Sequence, residues 1–173
     1  MLETTIHETT IHEPVDLIPE YAGWLSRLEM TREAVSYCCF HRLGRDQALA
    51  ERVGLEVAAG LLARPKVFQY YGLPFSGRVA HLTEMAIARA TSGRPAGPCT
   101  WAMVQEAIAG LTPEQQEVVV HTCIEGCDDG ELAAALSCDE TEAQRRREDT
   151  LARLEASSEL VLPVSEHRSR RAQ

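Results

Sequence analysis

Glu131-Leu-Ala-Ala-Ala-Leu136, followed by Ser137-Cys138-Asp139, is the stretch of this chain that decides its fold. Leu132 and Leu136 are four residues apart, which places both side chains on one face of a short helix. The next three residues form a tight connection, and a longer helical pattern follows Asp139, a residue type that caps helices. Two helices joined by so short a turn predict a helix-turn-helix.

The remaining sequence between residues 20 and 157 also has helical periodicity and shows no strand pattern. One helix is predicted to follow Asp46, which suits the N-cap position, and to end near Pro65. Its inward stripe recurs at four-residue steps, as Leu49, Val53, Val57 and Leu61. We therefore expect an all-α fold.

Two capping signals define the helices of the C-terminal third. Thr112-Pro113-Glu114-Gln115 combines a capping threonine, a proline at the first helical position and a glutamine that completes a capping box. This signal predicts a helix that runs to Gly126. Asp139 and Glu142 predict a second capping box, at the start of the last helix.

Composition divides the chain into two small helical modules with flexible ends. A tandem five-residue repeat predicts a flexible N-terminal arm. Two glycines and two prolines lie between residues 92 and 98, and they predict a linker because neither residue type continues a helix there. The predicted segments are an arm over 1–19, a module over 20–91, a linker over 92–99, a helix-turn-helix module over 100–157 and a tail over 158–173.

The charge of the chain limits its function. Lys and Arg number 17 against 26 Asp and Glu, a formal charge of −9, and residues 111–162 alone carry thirteen acids and four bases. A protein that coats nucleic acid without a partner is therefore unexpected, because such binding depends on cationic side chains that neutralise phosphates. No apolar run reaches the roughly 18 residues of a membrane helix, and no signal peptide is predicted. We expect a cytoplasmic protein without a membrane partner.

The cysteines and histidines predict neither a metal site nor a catalytic one. Six cysteines without an export signal indicate reduced thiols. His121, Cys123, Cys127 and Cys138 lie close in sequence, but their spacing is not that of paired zinc ligands. We expect buried thiols that pack as small hydrophobes, hence no metal and no cofactor. The histidines are scattered and no phosphate loop or nucleophile motif occurs, so we expect that the chain is not an enzyme.

Several short motifs fall in one register without a gap along residues 107–154. They are Ala107-Ile-Ala-Gly-Leu-Thr-Pro-Glu-Gln-Gln-Glu-Val118, Glu125-Gly126, Glu131-Leu-Ala-Ala-Ala-Leu136 and Arg146. The series resembles region four of bacterial sigma factors, most closely those of the extracytoplasmic-function type. The resemblance implies a DNA-reading helix after Asp139, with Gln144, Arg145 and Arg146 as candidate DNA contacts. Thr141 either touches a base or caps the helix.

The N-terminal half resembles region two of the same family, with substitutions. Leu43-Gly44-Arg45-Asp46 is similar to its turn, and the following helix is the one that grips RNA polymerase in the family. The resemblance implies partner contacts at Glu51, Arg52, Leu55 and Glu56. The family's Asp, Gln and Phe fall here on Arg52, Leu55 and Ala58.

Two functions follow from these observations. The first is a sigma-factor-like transcription regulator that acts at promoter DNA with RNA polymerase, a second regulatory protein, or both, since its own charge opposes DNA. The alternative is a degenerate sigma-like adaptor or antagonist that has left DNA and binds proteins through its acidic face.

Overall fold

A computed structural model describes residues 16–67, 73–94 and 97–162, and the regular secondary structure of these residues is entirely helical, with no strand among them. The expected all-α fold is confirmed. A 3₁₀ turn covers Pro65–Val67 and a π-helical turn covers Val120–Ile124. The α-helices are α1 (Pro19–Phe40), α2 (Gln47–Leu62), α3 (Leu73–Thr91), α4 (Trp101–Ala109), α5 (Pro113–Val119), α6 (Asp129–Ala135) and α7 (Glu140–Glu159).

Side-chain caps start the helices where the sequence predicts them. The Asp46 carboxylate accepts the Leu49 N–H at 3.0 Å at the start of α2. Thr112 and Gln115 form the complete capping box of α5. At α7 only half of the expected box is present, because Asp139 accepts the backbone N–H of Glu142 while the Glu142 carboxylate binds arginine side chains instead.

Three boundaries differ from the sequence prediction. The sequence predicts a loop over Val67–Gly77 before the third helix, but α3 already begins at Leu73. The helix expected to run to Gly126 ends as an α-helix at Val119 and widens into the π-helical turn. α7 continues to Glu159, into the predicted tail, because Ser157 and Ser158 are buried. Residues 1–15 of the predicted arm, 68–72 of the predicted loop, 95–96 of the predicted linker and 163–173 of the predicted tail lie outside the described residues.

α2 is the central helix of the fold. Ten of its sixteen residues are buried, and it packs against α1, α3 and α7. Two glycines allow the close approach of its neighbours. A Cβ at Gly54 would overlap Ser36 and the Arg32 carbonyl of α1, and a Cβ at Gly60 would lie 2.7 Å from Leu82 of α3.

The buried core is continuous across the predicted linker. One cluster of apolar side chains includes residues of α1, α2 and α3 and also of α4, α5 and α7. The Tyr21 hydroxyl donates to the Ile108 carbonyl at 2.5 Å, and the fully buried Gln116 accepts the Ile18 N–H at 2.8 Å. These bonds tie the start of α1 to α4 and α5. The boundary at residues 92–99 thus lies between helices that share a core.

None of the helices in the described part of the chain combines the length and the apolar composition that a membrane crossing requires.

Gly54→Ala should destabilise the protein by about 1–3 kcal/mol, the usual cost of overpacking a core. The added methyl meets the Arg32 carbonyl at 2.6 Å, and this backbone atom moves only if α1 shifts. Urea unfolding followed by circular dichroism measures the change. Gly23→Ala is the matched control, since a Cβ there meets nothing within 4 Å. This control should stabilise the helix by about 0.5–1 kcal/mol; equal effects of both variants would refute the proposed close packing.

Candidate functional site

α6 and α7 form a compact pair joined by a tight turn. Leu132 and Ala133 of α6 pack on Ala143 of α7 in a small apolar cluster, separate from the main core, with Leu136 and Cys138 at its edge. Ser137 has a left-handed backbone (φ 52°), which lets the chain reverse within the turn. The second helix therefore starts against the first and its opening turns reach solvent.

Arg147 fixes this helix pair from inside. Its side chain is 9% exposed and points back toward the loop before α6. The guanidinium forms an ion pair with Asp129 and donates to the Cys127 carbonyl at 2.8 Å and the Asp128 carbonyl at 3.1 Å. Nε donates to the Thr122 hydroxyl at 3.3 Å. Four hydrogen bonds from one planar group hold α7, the loop and the start of α6 in a single arrangement.

The outer face of α7 carries three of the four predicted DNA contacts. Thr141, Gln144 and Arg145 are exposed, and Arg146 is partly exposed. Gln144 donates to Glu148 at 3.1 Å, one turn further along the helix. Successive residues point about 100° apart around a helix, which explains why Arg145 faces outward while Arg147 turns into the protein.

Arg145 and Arg146 are both paired with the Glu142 carboxylate. Arg145 donates to the two carboxylate oxygens at 2.7 and 2.9 Å, and also to Asp149 at 2.8 Å. Arg146 donates to Glu142 at 2.7 Å. The hydrogen bonds from Arg145 and then Arg146 lower the pKa of Glu142 to about 2. The same carboxylate raises the pKa of each guanidinium, so all three groups stay charged at neutral pH.

A shallow groove lies beside these pairs, between α7 and the start of α5. It encloses about 220 Å³ and its lining includes Thr112, Glu114, Arg145 and Arg146. Thr141 and Gln144 are not part of this lining. The structure thus brings Arg145 and Arg146 together at the groove and leaves the other two candidates on the open face of the helix.

The predicted partner contacts line a second cleft, of about 310 Å³. Glu51, Arg52, Leu55 and Glu56 of α2 form one wall, and Cys99, Trp101 and Val161 contribute from the other side. Only Glu51 is fully exposed among the four predicted residues.

Two of these partner candidates are engaged within the chain. The Glu56 carboxylate is buried and accepts from Arg89 at 2.6 Å and from Arg52 at 3.2 Å. Arg52 also donates to the Arg94 carbonyl at 2.9 Å. These bonds connect α2 to α3 and to the segment after it, so Glu56 and Arg52 have a structural role whatever else they bind.

The potential metal ligands separate into two groups. Cys123 is buried in the core, and burial raises the pKa of its thiol to about 12, as expected for a thiol that packs as a hydrophobe. Cys138 packs beside the small α6–α7 cluster. His121 and Cys127 instead lie near the surface and converge with Glu125, a residue that the spacing of the cysteines did not identify.

No protein-family model, curated protein or solved structure matches this chain.

Sequence reasoning missed Arg147 as the central contact and Glu142 as the partner of two arginines. The run Arg145-Arg146-Arg147 carried a usable signal, because three consecutive residues cannot share one helix face. The acidic partner of Arg147 could not be identified from the sequence, because Asp129 is 18 positions away.

Arg147→Ala should destabilise the protein by about 3 kcal/mol, because the loss of one member of a buried ion pair leaves polar groups unpaired. The expected loss lies at the lower end of the usual range because Asp129 is half exposed. Arg145→Ala, an exposed arginine two positions earlier, is the control and should change stability by less than about 1 kcal/mol. Guanidinium unfolding midpoints give both values. A loss no larger than that of the control would show that Arg147 does not hold the helix pair.

The Glu142 carboxyl should titrate near pH 2 in a carbon-detected NMR experiment. Because this folded-state pKa lies below the ordinary value of 4.5, the stability that Glu142 contributes is complete above about pH 4.5 and is lost as the pH falls toward 2. Arg145→Ala should raise the midpoint more than Arg146→Ala, since Arg145 makes the larger contribution. A midpoint that does not move in Arg145→Ala would contradict the assigned cause.

Proposed function

We propose that this protein is a sigma-factor-like transcription regulator that acts at promoters together with RNA polymerase, a second regulatory protein, or both. In this proposal the helices before the linker form a region-two-like module and those after it a region-four-like helix-turn-helix module. The protein is cytoplasmic and is not an enzyme.

One observation carries the proposal: the outward face of α7 directly after the tight turn. Thr141, Gln144 and Arg145 are exposed there, while Arg147 and the small α6–α7 cluster hold the helix from behind. A DNA-reading helix needs its first turns free to enter the major groove and its back fixed by the preceding helix. The exposed side chains include an arginine and a glutamine, residue types that pair with guanine and adenine edges.

The charge distribution explains why the proposal includes a protein partner. Residues 111–162 carry thirteen acids and four bases, so the surface around α7 repels phosphates. Arg145 and Arg146 must also leave Glu142 before they bind DNA. A partner that brings its own cationic surface to the DNA, as RNA polymerase would, supplies the affinity that this chain lacks.

The cleft along α2 is the proposed contact surface for that partner. Glu51 is exposed at its rim and Leu55 is half exposed, so both are accessible. Arg52 and Glu56 line the same cleft but are occupied by internal bonds, and they position the wall rather than offer free charges.

A second function is favoured by the paired arginines themselves. If Glu142 holds Arg145 and Arg146 permanently, neither guanidinium is free to bind phosphates or bases, and the acidic third of the chain suits a basic protein surface better than DNA. In that case the protein is an adaptor or antagonist derived from a sigma-like fold.

The double variant Arg145→Ala/Arg146→Ala separates these functions. The expected result is loss of promoter occupancy, measured by crosslinking and immunoprecipitation of the tagged chain in its own host. Arg153→Ala is the matched control, because Arg153 lies on the same helix but bonds to Gln115 of α5 at 2.8 Å, and it should leave occupancy unchanged. The adaptor function would be supported instead if the double variant kept its promoter occupancy but no longer co-precipitated its protein partner.

Glu142→Gln tests the internal pairing in a second experiment, in which promoter binding by the purified chain together with its partner is measured at several salt concentrations. The variant releases two arginines from their carboxylate, so the salt dependence of DNA binding should steepen by about one unit of log K per log salt for each additional phosphate that they neutralise. An unchanged slope would show that the pairing does not keep these arginines from DNA.

A further inference from the structure

The turn between α5 and α6 brings three different metal-ligating side chains to one point. His121 Nδ1 and Glu125 Oε2 are 2.5 Å apart, and Cys127 Sγ lies 3.7 Å from the same oxygen. One donor atom from each of the three residues lies within 4.8 Å of the donor atoms of the other two. His121 and Cys127 are half-buried and Glu125 is exposed, so the group is accessible from solvent.

The backbone of the turn creates this convergence. The Glu125 N–H bonds to the Val120 carbonyl at 3.0 Å, the wide spacing of a π-helical turn. Gly126 then adopts a left-handed conformation (φ 73°), and the Cys127 N–H bonds back to the His121 carbonyl at 2.9 Å. This bond spans six residues, one more than the corresponding bond of a Schellman turn at the end of an α-helix. It places the Cys127 side chain beside the two helical ligands.

The Cys127 backbone is also fixed from the other side, because its carbonyl accepts a hydrogen bond from the buried Arg147 at 2.8 Å. The three ligands therefore do not depend on a mobile loop for their relative positions. A site whose ligands are already oriented loses little conformational entropy when an ion binds.

The donor set suits zinc and chemically similar ions. Imidazole nitrogen, carboxylate oxygen and thiolate sulfur are the three ligand types of tetrahedral zinc, with bonds of about 2.0–2.3 Å. Such bonds place neighbouring donors about 3.3–3.6 Å apart around the ion. The Sγ–Oε2 separation of 3.7 Å already fits, and the His121–Glu125 hydrogen bond would open by about 1 Å around an ion of this size. Calcium and magnesium are disfavoured because they prefer oxygen ligands alone.

The surrounding charge favours a cation at this point. Asp128 and Glu131 follow the cluster directly and add negative charge beside it, whereas the charge of Asp129 is already balanced by Arg147. Burial and the Glu125 carboxylate raise the pKa of the Cys127 thiol. A bound cation would reverse this effect by stabilising the thiolate, and the thiol proton would pass to solvent on binding.

We propose that His121, Glu125 and Cys127 bind one divalent transition-metal ion of the zinc class, with the fourth tetrahedral position left for water. The ion connects the end of the π-helical turn to the residue just before the N-cap of α6. It would hold the helix-turn-helix from the surface, opposite to the contacts that Arg147 makes from inside. This inference does not rest on the proposed function.

Cobalt(II) is the probe, because a thiolate ligand gives it a charge-transfer absorption band and a tetrahedral site gives intense visible bands. The metal-free reduced full chain, titrated with cobalt(II), should bind one ion per chain with both signatures, and zinc should displace it. Cys127→Ser should abolish the charge-transfer band, and His121→Ala and Glu125→Gln should each weaken binding by at least about 10-fold, the lower end of what a lost outer-shell partner costs.

Cys38→Ser is the matched control, since Cys38 is an exposed thiol on α1, remote in sequence from the cluster. It should keep the wild-type spectrum and affinity. Circular dichroism establishes that each variant is folded, which is expected because the substituted side chains lie near the surface. A wild-type chain that binds no cobalt(II), or a charge-transfer band that persists in Cys127→Ser, would overturn the proposal.

Discussion

The guanidinium of Arg147 is the contact on which the C-terminal third of this protein depends. A short helix, a loop and the start of a long helix meet around it, and none of them has enough apolar surface to fix the others alone. Among the described residues, the separate cluster under α6 contains three buried side chains, those of Leu132, Ala133 and Ala143. Charge-assisted hydrogen bonds to two main-chain carbonyls and one carboxylate replace the missing apolar contacts. Because the guanidinium is buried, these bonds direct the outer face of α7 as well as stabilising it.

The opposite side of α7 shows how the charges of two arginines are balanced in a protein with a net charge of −9. Glu142 holds Arg145 and Arg146 at hydrogen-bonding distance, so their charges are locally balanced. Exposed pairs of this kind contribute little to stability, and exchanging a carboxylate for a phosphate costs correspondingly little. The arrangement is therefore compatible with DNA binding that starts only when a partner has brought the DNA close.

The loop before α6 lies between the buried Arg147 guanidinium and the protein surface. Its main chain faces inward to Arg147, while the side chains of Glu125 and Cys127 face outward beside His121. A ligand on the outside and the guanidinium on the inside would act on the same few residues. α7 also packs against α2, whose cleft is the proposed partner surface.

Local patterns in the sequence were sufficient for the helical class, for the caps at Asp46 and Thr112 and for the placement of the turn before Asp139, because hydrophobic period and capping act within a few residues. Three features needed the tertiary structure: the inward turn of Arg147, the burial of Glu56 between Arg52 and Arg89, and the convergence of Glu125 with His121 and Cys127. The first two depend on which helices become neighbours. The third depends on a π-helical turn, which changes the angular position of every later side chain and leaves no pattern in a sequence read at the α-helical period.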